Sequence, residues 1–214
     1  MDVNKNPVCS NIFKAGFIRT FGSMIVTSFI PVFFQRMFPE QKSQFALISA
    51  LSLTVFGFGS AIVGGVISDK FEKRSYMTKS YLIIAGNVLA IPLAAIACLA
   101  GNFWVAVAAF SMKILVSGSY LAPAITMMQN STENSNSGLI VSSYTFFSHF
   151  AQTLAPILFG YFAKGYGAME NPRVYGYLIA TFVMFGYAGS NYFYLKAGRE
   201  YEKIMRAKEN KIMQ

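Results

Sequence analysis

Lys113 lies about ten residues into an apolar stretch, residues 103–128, which puts it roughly 15 Å deep along a helix rising 1.5 Å per residue. An ionisable side chain at that depth is costly, and such a residue is a functional candidate by default. Ser117 and Tyr120 follow at helical spacing, and the three make a basic, hydrogen-bonding stripe suited to an anionic group. The competing reading pairs the lysine with a backbone carbonyl or a neighbouring subunit. Arg19, one turn into the stretch 15–38, has Ser23 and Thr27 on its face at intervals of four. It is a second candidate for a polar site, or it snorkels to the nearer surface. In the stretch 139–163, Ser142, Thr145, His149, Gln152 and Pro156 are spaced three and four apart, a single polar stripe like that of a core-facing helix. His149, the sole histidine, either relays a proton or packs as a hydrogen-bonded core residue.

The negative inventory is as informative. All nine acidic residues fall in loops or tails, so no carboxylate within the apolar stretches could carry protons. The chain has no phosphate-binding Gly-rich loop ending in Lys-Ser or Lys-Thr, no cluster of metal ligands and no partner set for a catalytic triad. Neither catalysis, a metal nor a cofactor is expected.

The elements that must position these groups are helices in lipid. Hydrophobic residues make up 54% of 214 residues and charged ones 13%, which lies outside the balance of a soluble domain. Six apolar stretches, each close to the ~20 residues needed to span a hydrocarbon core, are separated by short polar breaks. They cover residues 15–38, 45–68, 78–100, 103–128, 139–163 and 174–195, between a polar segment at 1–14 and a charged tail at 197–214. Inside lipid every backbone amide needs an internal partner, and stretches of this length satisfy that as helices. The fold class is an all-α integral membrane bundle of six helices. Gly57, Ala61 and Gly65, spaced by four, read as a close-packing face, with Gly176, Gly186 and Gly189 doing similar work in the last helix. Pro156 and Gly160 mark a place where the fifth helix bends. The first residues are polar and the run behind them is too long for a signal core, so no cleaved signal is expected.

Basic residues sort by loop, twelve on the side holding both chain ends and the knot "DKFEKR" against four on the other, which makes the first side cytoplasmic or, in an organelle, matrix-facing. Membrane topology thus accounts for the net charge of +9 without a nucleic-acid partner. The Asn130-Ser131-Thr132 sequon falls on the same inner side, out of reach of glycosylation. Cys9 and Cys98 lie near opposite faces, beyond disulfide distance.

The knot itself, Gly65-Val66-Ile67-Ser68-Asp69-Lys70-Phe71-Glu72-Lys73-Arg74, resembles the signature loop of the major facilitator superfamily: a glycine, a small residue before an aspartate, a base, then two more bases. Glu72 stands where that family usually has a second glycine, which removes the tight-turn residue and adds a carboxylate for an extra salt bridge. The stretches "FIRTFGSMIVTSFIPVFFQRMFP", "GGVISDKFEK" and "APAITMMQN" look like the C-terminal half of spinster-like transporters of protists, and the likeness covers nearly the whole chain. The resemblance implies a half major facilitator fold of two inverted three-helix repeats. It also implies that Asp69, with Lys70 and Arg74 as its nearest partners and Lys73 beside them, holds one conformation closed on the inner side. The first and fourth helices of a half line the family's central cavity, the position of Arg19 and Lys113.

Two functions fit this reading. The preferred one is a transporter-derived structural or accessory subunit of a larger membrane complex, for which a mitochondrial inner membrane is one setting. Its partners are membrane lipid and other membrane subunits. The alternative is a half-size secondary transporter of a small anionic or amphipathic solute, pairing with a second six-helix half in a mitochondrial, plasma or endolysosomal membrane.

Overall fold

The computed structural model describes residues 6–72, 75–132, 137–168 and 170–212. Pro7 occupies the first helical position, where its missing N–H costs nothing, and the Asn6 Oδ1 accepts from Val8 N at 2.9 Å. Helix α1 therefore runs Pro7–Met37 and begins eight residues before the apolar stretch does. A polar composition ends an apolar run, but it does not end a helix. The second rod is α2, Lys42–Ser52, continued through a π-helical turn at Leu53–Gly57 into α3, Phe58–Glu72. Helix α4 spans Thr78–Leu99; α5, Phe103–Ser117, passes through the 3₁₀ turn Gly118–Tyr120 into α6, Leu121–Asn130. Helix α7 is Ser137–Gly165, and α8, Pro172–Ile212, carries the charged tail as an unbroken extension of the sixth rod. No strand occurs among the described residues.

These six rods form one all-α bundle. Four of them, Pro7–Met37, Pro39–Glu72, Thr78–Leu99 and Phe103–Asn130, are long and apolar enough to cross a membrane by length and composition. The packing has the pattern of two exchanged three-rod repeats: α1 packs on α8 and α7 as α5 packs on α4 and the α2–α3 rod, while α4 and α8 meet at the centre. The start of α1 and the extension of α8 lie at one end. There Asn6 Nδ2 donates to Ser131 O at 2.9 Å and Lys208 Nζ to Asn130 O at 2.7 Å. Asn130 of the sequon is itself engaged, its Nδ2 donating to the Tyr201 hydroxyl at 3.1 Å. Cys9 and Cys98 are buried free thiols.

Close approach depends on small residues, though not all of those expected. A Cβ on Gly186 would lie 2.9 Å from Gly22 Cα and 3.1 Å from Ile18 O, so α1 and α8 cross backbone to backbone. Gly176 and Gly189 also face neighbouring helices. In the second rod, however, Ala61 is exposed and Gly57 and Gly65 are only half-buried. The buried line is Phe45, Ser52, Ser60, Gly64 and Ser68. The step of eight from Ser52 to Ser60 contains the π turn, whose one extra residue shifts the contact face. Beyond the turn, Ser60 meets Gly118 and Gly64 meets Ser119, while the opposite face of the rod, with Ile62, Val63 and Val66, stays open.

Gly186→Val should lower stability by about 1–3 kcal/mol, because the backbone opposite cannot yield. Gly160→Ala, with nothing within 4 Å of the added carbon, should leave thermal unfolding in detergent nearly unchanged.

Candidate functional site

Arg19 lies near the middle of α1, twelve residues past its start, and is 2% exposed. Snorkelling, the alternative left open by the sequence, does not occur, since the extra turns of helix ahead of Ala15 place the guanidinium well inside the bundle. Its Nε donates to Asn87 Oδ1 at 2.9 Å and its Nη2 to Ser117 O at 2.6 Å. The guanidinium lies on the Tyr120 ring, 3.3 Å from the centroid, with Tyr187 at 5.0 Å. Asn87 is fixed in turn: its Nδ2 donates to Asn191 Oδ1 at 2.9 Å and to Ser190 Oγ at 3.3 Å. The planar fork of an arginine thus ties α1 to α4, α5 and the 3₁₀ turn, and through Asn87 to α8.

Lys113 of α5 is 6% exposed, its Nζ 5.6 Å from the centroid of the Tyr187 ring. Neither cation has a carboxylate partner among the described residues. Both line one cavity of about 220 Å³ between α1, α2, α5 and α8. Ser23, Thr27, Ser117 and Tyr120 complete its polar side, and Phe45 and Phe110 face them. Two positive charges, several hydroxyls and an apolar wall in one low-dielectric space are the components of a site for an anion with an apolar body.

The structure brings together Arg19, Ser23, Thr27, Lys113, Ser117 and Tyr120. It does not bring His149 or Gln152 to them. The α7 stripe expected to face the core faces out instead, and the buried line is Ile140, Tyr144, Ser148, Ala151, Ala155, Phe159 and Ala163. The stripe needs no core partner because it satisfies itself along the helix. Thr145 donates to Val141 O at 2.8 Å, His149 Nδ1 lies 2.8 Å from Thr145 O, and Thr153 donates to His149 O at 3.1 Å. Pro156 lies inside α7 with Gly160 one turn on. Asn87 and Tyr187 also belong to the site, although neither shares a sequence face with a charge at mid-span. The signal for Asn87 was an amide in the middle of the most apolar rod, mean hydropathy 2.4.

The signature-loop residues form a second constellation at the end holding both helix termini. Asp69 does not pair with the adjacent Lys70, since neighbours in a helix point roughly 100° apart. Its partner is Lys79 of α4, at 2.8 Å, and Glu72 meets the same ammonium at 3.0 Å. Lys79 is fully buried, so two carboxylates and one ammonium close that corner. Glu72 also accepts from the Tyr201 hydroxyl, which links α3 to the α8 extension. Burial, then that hydrogen bond, pushes the Tyr201 phenol well above its ordinary value and keeps it a donor. Gly65 packs against Ala122 of α6. Lys73 and Arg74 lie outside the described residues.

The family model described as Major Facilitator Superfamily matches residues 12–211. Among solved structures, the chain is similar to a bacterial homologue of the human lysosomal transporter Spinster, crystallised in an inward-facing and unoccupied conformation. The likeness has a TM-score of 0.64 at 18% identity, over 95% of this chain and 48% of the bacterial one. The chain thus spans about half the length of that transporter. No curated protein matches.

The two cations should differ in kind. Arg19→Leu leaves Asn87 Oδ1 and Ser117 O without their donor and should destabilise the fold by about 2–4 kcal/mol. Lys113→Leu should change stability by less than about 1 kcal/mol. Thermal unfolding of the two variants in detergent checks the contrast.

Proposed function

The chain belongs to the major facilitator superfamily, and from that premise we propose that it acts as one six-helix half of a secondary transporter, taking the anionic end of a small, partly apolar solute. One observation carries the proposal: Arg19 and Lys113 converge on a single cavity with no carboxylate to neutralise them among the described residues. Arg19 has its partners already and sets the shape and potential of the site. Lys113 has the less committed charge and supplies the contact to the solute. A second six-helix unit would close the cavity against α1, the α2–α3 rod and α7, whose outward faces carry Thr27, much of the apolar α3 surface and the His149 stripe. Rocking of the two units about that cavity would give alternating access. The Asp69 and Glu72 carboxylates on Lys79 join α3 to α4 within this half and would keep the signature-loop corner rigid while the units rock. The basic end, which holds this corner, is assigned to the cytoplasmic or matrix side by its excess of lysine and arginine. No acid lines the cavity among the described residues, which supports coupling that does not depend on a carboxylate there.

The test is ligand-dependent stabilisation of the purified protein by a panel of organic anions, phosphate and sulfonate monoesters and carboxylates with short apolar bodies, against neutral analogues. Any ligand that binds the folded state at a hundred times its dissociation constant stabilises by about 2.7 kcal/mol. At least one anion should raise the unfolding temperature, and Lys113→Ala should weaken it about tenfold or more. Indifference to every anion, with co-purification in a large stoichiometric complex, would favour the accessory-subunit reading instead.

A further inference from the structure

The bundle has a larger concavity that the polar cavity does not use. A groove of about 510 Å³ lies between α1, α7 and α8, within the size range of small-ligand sites. Its walls are Phe13, Phe17 and Ile18 of α1, Phe147 and Phe150 of α7, and Phe193 of α8. At 100° per residue, the groove side of α1 is about 130° round the helix from Ser23 and Thr27. Phe147 and Phe150 are likewise about 150° from the His149 stripe. The groove is therefore on the back of the bundle and stays open when a second unit covers the front.

Its chemistry changes along its length. Lys14 lies in the groove itself, and Lys196 and Arg199, three and six residues past Phe193 on α8, line a second depression toward the basic end together with Pro7 and Asn11 of α1 and with Glu200, Glu202, Lys203 and Arg206. Lys203 and Arg206, further on, are neutralised by Glu200 at 2.7 Å and Glu202 at 2.8 Å. Lys14, Lys196 and Arg199 are exposed and have no carboxylate partner among the described residues. Lys196 lies 4.5 Å from the Tyr192 ring centroid, a contact that leaves its charge intact. An aromatic trough that ends in three uncompensated cations matches a molecule with a long apolar chain and a negative head.

We propose that this groove binds an anionic phospholipid, one acyl chain along the phenylalanines and the phosphate among Lys14, Lys196 and Arg199. Basic clusters beside membrane helices recognise anionic head groups through charge, and the aromatic walls add chain contact that a polybasic surface alone lacks. The site is independent of the polar cavity, so a failure of solute binding at Lys113 leaves it standing.

The test places a fluorescent reporter in the groove, Phe150→Trp in a Trp104→Phe background, in phosphatidylcholine vesicles titrated with brominated phosphatidylglycerol or brominated phosphatidylcholine. Half-maximal quenching should need about fivefold less of the anionic lipid. The unmutated chain, whose one tryptophan, Trp104, is at the opposite end, should show no preference. The preference should vanish in Lys14→Gln/Lys196→Gln/Arg199→Gln, and high salt should reduce it without any mutation beyond the reporter. Equal quenching by both lipids, the same preference at Trp104, or a preference that survives the triple substitution would overturn the proposal.

Discussion

A guanidinium in the middle of a lipid-embedded bundle must have every donor it can place satisfied, and Arg19 obtains its partners from other rods. Asn87 accepts from one side, the carbonyl of Ser117 from another, and Tyr120 covers a face. That carbonyl lies where α5 gives way to a 3₁₀ turn, so the irregularity of the rod is part of the arginine's coordination. Asn87 is held by Asn191 and Ser190 in turn. One buried charge thereby sets the relative placement of α1, α4, α5 and α8, and the Gly22–Gly186 crossing allows the backbones to come close enough for it.

The cavity follows from the same constraint. Because Arg19 is spent on the protein, its charge polarises the space beside it without blocking it, and Lys113, one turn before the Ser117 carbonyl, adds a second charge on the same wall. The apolar side, Phe45 and Phe110, keeps that wall from being hydrated as a surface would be. The opposite end of the economy is the Lys79 corner, where two carboxylates answer one ammonium at the basic end of the bundle. Charge is thus compensated by carboxylates at the Lys79 corner and held by neutral groups alone, among the described residues, beside the cavity.

The six rods, their class and the two cations were legible because apolar run length and intramembrane charge are properties of composition alone. What was misread concerned direction. Polar residues 7–14 did not look like helix, although Asn6 and Pro7 form a start signal that does not depend on hydropathy. The His149 stripe looked core-facing because polarity in a membrane helix invites a partner. Threonine and histidine can instead use the carbonyl four residues back, and these do. The Gly57, Ala61 and Gly65 pattern makes contact only in part: Gly65 meets Ala122 and Ala61 is exposed, while the tightest approaches fall at Ser60 and Gly64, beyond a π turn. For Asp69 the adjacent Lys70 was named as a partner, while the described structure gives it Lys79, across a helix junction that spacing cannot measure.

The central claim is that the cavity is reachable and electropositive because of Lys113 and Arg19. It is tested most directly by placing a thiol at Ser23, with Cys9 and Cys98 replaced by alanine, and comparing its modification by anionic and cationic methanethiosulfonates of similar size. The account predicts that the anionic reagent reacts about tenfold faster, relative to an exposed reference thiol, and that Lys113→Gln lowers the ratio. Equal rates, or faster reaction with the cation, would contradict it.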